Sequence, residues 1–560
     1  MLIDARHLPP DDTLRCDVCI VGGGPAGIAI ARELGARGKS VILLESGGIK
    51  LEAAAEDLNK GEVVDPVTHG PLEAYRRRRL GGASTSWGGR CVPFDEIDFE
   101  RRDWVPNSGW PLTKSDIDPF TPRAHAYLDL GAHSHEVNEA LPPAAQRQAM
   151  IPGFVSDDVA TDSLYLFSPP TNFGKKYLEE LTASRSVRLL LHANCLKIMT
   201  DAEGSRASHL VVESSAPEGG SGPSSPRGRR FEVIADRFVL AAGGLENVRL
   251  LEGSDDVHKS GIGNRTDQLG RYYMCHVIGH FAVEFASKHV IWDYEKTVSG
   301  LYCQRTVALT ADAQRRLHLL NHRARIEHAE VSNPEHGSGI LSASYLVKSL
   351  LASPLLRARL DVLSRGVLSA TQKKKEPQLA AHLRNILTDI GGVARFSKRW
   401  LDERILTDIK LPSVVMKSDS NTYTFRLDAE QIPNPESRVA LGDERDAFGQ
   451  RRLKVDWRRT RADEEMLLSV CRTLGSALEA SGAGKLRSDP ELYPEATGGH
   501  HIGATRMSAD PSSGVVDANC RVHDVRNLYI ASSSVFATCS YANPTQLIVS
   551  LALRLADHLQ

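Results

Sequence analysis

The stretch that most constrains this chain is Cys16–Glu45, CDVCIVGGGPAGIAIARELGARGKSVILLE. A short apolar run, Val18 to Val21, breaks at Gly22-Gly23-Gly24. It gives way to a helical stretch with small or apolar residues at Ala26, Ile30 and Leu34. A turn at Gly38 leads to a second apolar run, Val41–Leu44, which ends in Glu45. Strand, glycine turn, helix and strand within about 30 residues make a βαβ unit. Gly22, Gly24 and Gly27 fit G-x-G-x-x-G. The first permits the tight turn, the second lets backbone approach a pyrophosphate, and the third lets the helix pack close to the strand. Pro25 and Ala26 open that helix, whose unsatisfied N–H groups and positive dipole end attract phosphate. Glu45 lies 18 positions past Gly27, where a carboxylate can hydrogen-bond both ribose hydroxyls and repel a 2′-phosphate. The expected ligand is a dinucleotide of the FAD or NAD type.

Two further segments read as backbone passing close to such a ligand. Arg76–Arg90, RRRRLGGASTSWGGR, is a glycine- and serine-rich loop with no room for a regular element. Its arginines read as a solvated charged segment, with phosphate steering as the alternative. Phe238–Glu246, FVLAAGGLE, reads as a buried strand ending in Gly243-Gly244. Between them, Ala216–Arg230 is a low-complexity break expected to be an exposed hairpin loop. The runs Val187–Met199, Leu210–Glu213 and Phe231–Ala235 around it suggest strands of a small sheet. From Tyr345 to Trp400, Leu356, Leu360, Leu363 and Val367 recur at helical spacing. Eleven Lys or Arg between Lys348 and Arg399 face only Asp361, Glu376 and Asp389. Solvated helices packing on their own domain are expected there, with a membrane-surface or electron-acceptor docking face as the alternative. Leu411–Trp457 reads as antiparallel strands, with turn signals at Pro433-Asn434 and Gly442-Asp443.

Composition narrows the class. A chain of 560 residues is too long for one hydrophobic core. Hydrophobic residues at 41 % and charged ones at 25 % are ordinary for a globular protein and exclude collagen-like, coiled-coil and wholly disordered chains. Lys plus Arg (68) nearly balances Asp plus Glu (70), so no global field points to nucleic acid. No apolar run is long enough to span a bilayer. MLIDARHLPPDD has no apolar stretch after its charges, so no secretory signal is expected. Nine scattered cysteines suit reduced thiols and a cytoplasmic location. Cys16 and Cys19 fall inside a strand, where no metal is expected.

The last 65 or so residues carry the most chemistry. Gly498–Met507 reads GGHHIGATRM, and Asn543-Pro544-Thr545 opens QLIVSLALRLADHLQ. Pro544 suits a first helical position with Asn543 as N-cap. Ile548, Leu551 and Leu555 then form one buried stripe. Such a helix aims its positive N-terminus at an anionic group, such as a reduced flavin.

At this point the chain resembles the glucose–methanol–choline (GMC) oxidoreductases. The glycine fingerprint with Glu45, LGGASTSWGG, AAGGLEN, H-x-x-G-x-x-R-M and the closing NPT helix occur here in that family's order. The resemblance implies an α/β chain (α+β overall), with a Rossmann-like FAD-binding domain interleaved with a substrate domain of antiparallel sheet plus helices. Residues 1–110, 160–275 and 490–560 would form the first. Residues 111–159 and 276–489 would form the second, including the basic helical stretch 345–400. The implied cofactor is FAD. Its contacts would come from Gly22, Gly24, Pro25, Ala26, Gly27, Glu45, Ser46, Arg79, Gly81, Gly82, Ser84, Thr85, Ser86, Trp87, Gly88, Gly89, Cys195, Ala242, Gly243, Asn247, Ser533, Pro544 and Thr545.

The resemblance also implies roles. His500, three residues before Gly503, would accept the hydroxyl proton, and Asn543 would hold the same oxygen. A base is needed within about 3 Å of a hydroxyl whose carbon gives up hydride, and imidazole titrates near neutrality. Hydride would pass to flavin N5, with N–H groups near Pro544 and Thr545 stabilising the charge that develops. His501 is expected to point elsewhere, and His276 and His280 to be satisfied core or rim residues. A His–Asn pair is similar to the branch that includes pyranose 2-oxidase and bacterial sugar and glycoside oxidases. In that branch a T-H-W histidine often bonds the flavin covalently. Here the run is Thr85-Ser86-Trp87, so non-covalent FAD is expected. The implied reaction oxidises an alcohol on a sugar, glycoside or aminoglycoside-type metabolite to a ketone or aldehyde. The alternatives are oxidation of a non-sugar alcohol and a hydroxynitrile-lyase-like reaction with non-redox FAD. Dioxygen or a quinone or other acceptor would reoxidise the cofactor. No motif marks which acceptor is used, nor a homo-oligomer contact.

Overall fold

A computed structural model describes residues 1–9, 11–131, 134–215, 228–351, 378–407, 409–493 and 499–560. The stripe Leu356, Leu360, Leu363 and Val367, most of the Ala216–Arg230 loop and Gly498 lie outside the described residues.

The βαβ unit folds as its pattern requires. Val18, Cys19 and Ile20 are almost fully buried in the Thr13–Val21 strand, as strands covered on both faces must be. The helix Pro25–Ala36 follows, then the strand Val41–Leu44. They belong to an eight-stranded sheet. Its order runs Leu2–Asp4, Val187–Leu191, Val41–Leu44, Thr13–Val21, Arg230–Leu240, Ala207–Ser214, Ala193–Thr200, with Leu528–Ile530 also paired to Arg230–Leu240. Val21 is in register with both Leu44 and Leu240, and Leu240 with Ile530, all in parallel pairings. Four strands thus end at one level, the edge where open α/β sheets take their ligands.

The fold departs from two expectations. The runs near 187–199, 210–213 and 231–235 do not form a separate small sheet. Val187–Leu191 extends the parallel sheet on one side, and Ala193–Thr200 and Ala207–Ser214 extend it antiparallel on the other. This is because Arg230–Leu240, at 11 residues, is long enough to carry two successive partners along one edge. Gly442-Asp443 is not a turn but lies within the strand Arg438–Arg445. The hairpin bends instead at 446–450, where the Asp446 side chain accepts the N–H of Phe448 and Gln450.

The second sheet has five strands. His322–Glu327 and Val277–Phe285 flank Thr422–Ala429, and Gly484–Leu486 and Glu491–Leu492 pair with Val277–Phe285. Strand alternation separates its faces. Phe281, Val283, Phe425 and Leu427 share a core with Leu467, Val470 and Leu474 of the helix Arg461–Ala480. The intervening positions, His280, Arg323, Arg325, Glu327, Arg426 and Asp428, form the opposite face. The described parts of the 345–400 region are helical, at Gly339–Leu351, Leu379–Thr388 and Ile390–Trp400. Among the described residues no helix is long and apolar enough to cross a membrane. All nine cysteines are unpaired.

Candidate active site

A cavity of about 850 Å³ opens at the carboxyl ends of the parallel strands, toward the upper end of the range for ligand sites. Val21, Leu44, Ala241 and Ala531 floor it, with Gly22, Glu45 and Ala242 beside them. Bare backbone faces it at three points. A Cβ built on Gly24, Gly88 or Gly243 would meet no protein atom within 4 Å. The helix Pro25–Ala36 begins at Gly24 with no side-chain cap, so its first-turn N–H groups remain available to an anion. Thr545–His558 likewise begins uncapped at the cavity wall. Glu45 is buried, and its two oxygens accept the N–H groups of Gly23 and Gly47, both at 2.9 Å. Burial pushes its carboxyl upward despite those bonds. A carboxylate has lone pairs beyond those two bonds for ribose hydroxyls. The cradle, the two open helix ends and the placed acid fit FAD.

The arginine run is not solvated. Arg76 and Arg78 reach Glu246 at 2.5 and 2.6 Å, and Arg249 joins them at 3.0 Å. Burial alone would raise the Glu246 carboxyl, but Arg78, Arg249 and Arg76 outweigh it and hold it far below the carboxylate range. The following loop is more regular than expected. It makes a 3-10 turn at Gly82–Thr85, then a short strand, Arg90–Cys91, paired with Leu164–Phe167.

Most of the expected cofactor contacts line the cavity: Gly22, Gly24, Pro25, Ala26, Glu45, Ser46, Gly82, Ser84, Ser86, Trp87, Gly88, Gly89, Cys195, Ala242, Gly243, Ser533, Pro544 and Thr545. Gly27, Arg79, Gly81, Thr85 and Asn247 stand behind the wall. The N–H of Gly81 donates to the carbonyl of Gly23 at 2.7 Å, and Thr85 Oγ1 donates to the carbonyl of Gly82 at 2.8 Å. Asn247 accepts the N–H of Ala242 and donates to Ser532. These residues brace the wall from behind.

His500 and Asn543 come together on that wall, Asn543 Nδ2 lying 3.1 Å from His500 Nε2. Asn543 is not the helix cap. The helix starts at Thr545 with Pro544 before it, and the Asn543 side chain lies at the cavity wall beside His500 instead. Its Oδ1 accepts a hydrogen bond from Arg90 Nε at 2.6 Å. Arg90 in turn bonds Asp428 at 3.1 Å, and Arg325 takes the same carboxylate at 2.5 Å. Burial would raise the Asp428 carboxyl, but Arg325, Arg90 and Arg426 hold it far below its usual range. Burial, with His276 and Arg90 adding to it, keeps the His500 imidazole well below 6.5, which favours its neutral form.

The neighbouring histidines differ from expectation. His501 also reaches the cavity wall, although its Nδ1 is tied to the Tyr273 hydroxyl at 2.6 Å and its ring stacks on His69. His276 is only half satisfied. Its Nδ1 bonds the carbonyl of Ser540 at 2.9 Å, its Nε2 has no hydrogen-bond partner among the described residues, and its ring meets that of His500 edge-on at 4.8 Å. Sequence reasoning missed Arg90, Asp428, Arg325 and Glu327 altogether. A signal existed in HRARIE and TYTFRLDA, where charges sit at every second position of otherwise apolar strands.

Residues 433–552 match the GMC oxidoreductase family and residues 15–76 an FAD binding domain. The 6'''-hydroxyparomomycin C oxidase of Streptomyces lividus is 31 % identical, over 97 % of this chain and 92 % of that protein. The fructose dehydrogenase large subunit of Gluconobacter japonicus is 24 % identical over 59 % of this chain, and the match spans only 48 % of that subunit. The pyridoxine 4-oxidase of Mesorbium loti shares the fold, with a TM-score of 0.51 at 16 % identity over 97 % of this chain and 99 % of that one. Fold, cradle and paired helix ends define an FAD-dependent oxidoreductase. The chain belongs to the GMC oxidoreductase family.

Proposed function

We propose that this enzyme oxidises a secondary or primary alcohol on a sugar, glycoside or aminoglycoside-type molecule. The 3.1 Å pairing of His500 and Asn543 at the FAD cavity carries the reading. An alcohol oxygen set against both displaces their mutual hydrogen bond, donating its proton to His500 Nε2 and accepting a hydrogen bond from Asn543 Nδ2. Losing that proton weakens the carbinol C–H bond. Bound FAD supplies the hydride acceptor. The open N-terminus at Pro544 and Thr545 favours negative charge nearby. The carbohydrate assignment is supported by the near full-length likeness to an aminoglycoside oxidase and by the polar sheet face bearing Arg325 and Glu327 beside the cavity.

In this reading residues 1–110, 160–275 and 490–560 hold the cofactor, non-covalently because Ser86 offers no imidazole. Residues 111–159 and 276–489 receive the substrate. Dioxygen or a quinone reoxidises the cofactor, and nine unpaired thiols suit a reducing compartment such as the cytoplasm. The test is an anaerobic flavin-bleaching screen over sugars, glycosides, amino sugars and simple alcohols. Bleaching by sugar-type alcohols is expected, and His500→Ala should slow it by about 10²- to 10⁴-fold while FAD stays bound. Bleaching by simple alcohols alone would overturn the carbohydrate assignment. An unchanged rate in His500→Ala would overturn the base.

A further inference from the structure

The orientation of the Asn543 amide follows from its two partners. A guanidinium can only donate, so the atom facing Arg90 must be the carbonyl oxygen Oδ1, at 2.6 Å from Nε. The amide nitrogen Nδ2 then faces His500 Nε2 at 3.1 Å. Nδ2 can only donate, so His500 Nε2 must hold a lone pair. An imidazole tautomer is ordinarily fixed by a partner on its other nitrogen. His500 Nδ1 is buried and has no hydrogen-bond partner among the described residues. Its tautomer is therefore set from the Nε2 side alone.

Resting on the His500–Asn543 reading, we propose that Arg90 is a positioning residue that selects the basic nitrogen of His500. Arg90 locks the Asn543 amide so that Nε2, the nitrogen facing the substrate oxygen, stays unprotonated in the resting enzyme. Arg90 is itself held in place. Asp428 accepts its Nη1 at 3.1 Å, and its guanidinium lies 4.9 Å from the centre of the Tyr165 ring. Arg325 shares the Asp428 carboxylate and fixes that carboxylate in turn. Without Arg90 the amide can turn over and offer Oδ1 to Nε2. A proton on Nε2 is then stabilised, and the base points its lone pair away from the alcohol.

The test is nitrogen NMR of the holoenzyme labelled with ¹⁵N-histidine, with His500 signals identified by their loss in His500→Gln. The expected result is a protonated Nδ1 and a bare Nε2 in the native enzyme. That pattern should be kept in Arg90→Lys and lost to a mixture or the opposite tautomer in Arg90→Met. Flavin absorbance near 450 nm in each variant confirms that the cofactor is still held. A native His500 protonated at Nε2, or an Arg90→Met variant with unaltered tautomer, overturns the proposal. The kinetic arm uses whichever alcohol bleaches the flavin fastest in the screen above. Arg90→Met should slow reduction by about 10- to 100-fold, the range for losing a charge-assisted hydrogen bond. It should cause no further slowing in an Asn543→Ala background. Equal slowing in both backgrounds would mean that Arg90 acts on substrate directly and would overturn the proposal. Failure of His500→Ala to slow bleaching would instead count against the base assignment and leave the tautomer result standing.

Discussion

A β-carbon on Gly27 would lie 2.0 Å from the carbonyl oxygen of Gly22. The helix Pro25–Ala36 therefore rests directly on the turn that precedes it. Gly27→Ala must push helix and strand apart, a backbone clash costing about 1–3 kcal/mol or more. The melting temperature and the bound flavin should fall together. Gly24→Ala is the contrasting case. Its backbone is extended, and its new methyl meets no protein atom within 4 Å. That variant should melt like the native apoprotein yet lose FAD on desalting, because the methyl occupies cofactor space. Thermal melts and absorbance near 450 nm separate the two.

Acid should destabilise the fold through buried histidines. Burial pulls His322 and His276 down to about 4, and His135 to about 3. These groups are neutral when folded and take up protons near 6.5 when unfolded. Their stabilisation is complete above the unfolded value and is lost as pH falls from 6.5 through the folded values. A shift of this size is worth about 3 kcal/mol for His322 alone. These histidines should make the melting temperature fall as pH drops from about 6.5 to about 4. A flat profile across that window would contradict it.

Arg102 and Glu430 form an ion pair with both side chains at 0 % exposure. Glu430 also accepts the backbone N–H of Asn321 at 2.6 Å. Glu430→Gln leaves a buried guanidinium uncompensated and should cost about 3–5 kcal/mol. Adding Arg102→Met should recover much of that loss, which denaturant titration of the two variants would read.

Flavin should leave the protein on acid precipitation, colouring the supernatant, because the 85–87 run carries Ser86 where a covalently bound imidazole would be needed. Colour retained in the pellet would refute this.

What the sequence disclosed follows the range of each signal. The strand–turn–helix–strand unit was readable because its determinants lie within 30 or so neighbouring residues and each glycine has a steric reason. Asn543 reads locally as a cap because Asn-Pro before an apolar helix is the cap pattern, and only the resemblance points it toward His500. The partner that claims its side chain, Arg90, lies 453 positions away. Arg76 and Arg78 look solvated for the same reason, since Glu246 stands 170 positions beyond Arg76. His500 was legible only through the resemblance, and its surroundings, Asp428 and Arg325, only through alternation in strands whose sheet partners no local pattern names.

The five-stranded sheet keeps apolar packing and charge on opposite sides. Phe281, Phe425 and Leu427 hold it to its helix, while Arg325, Glu327 and Asp428 point the other way. A lineage, or an engineer, can therefore change the charged side around the Asp428–Arg325 anchor while leaving untouched the residues that make the sheet fold.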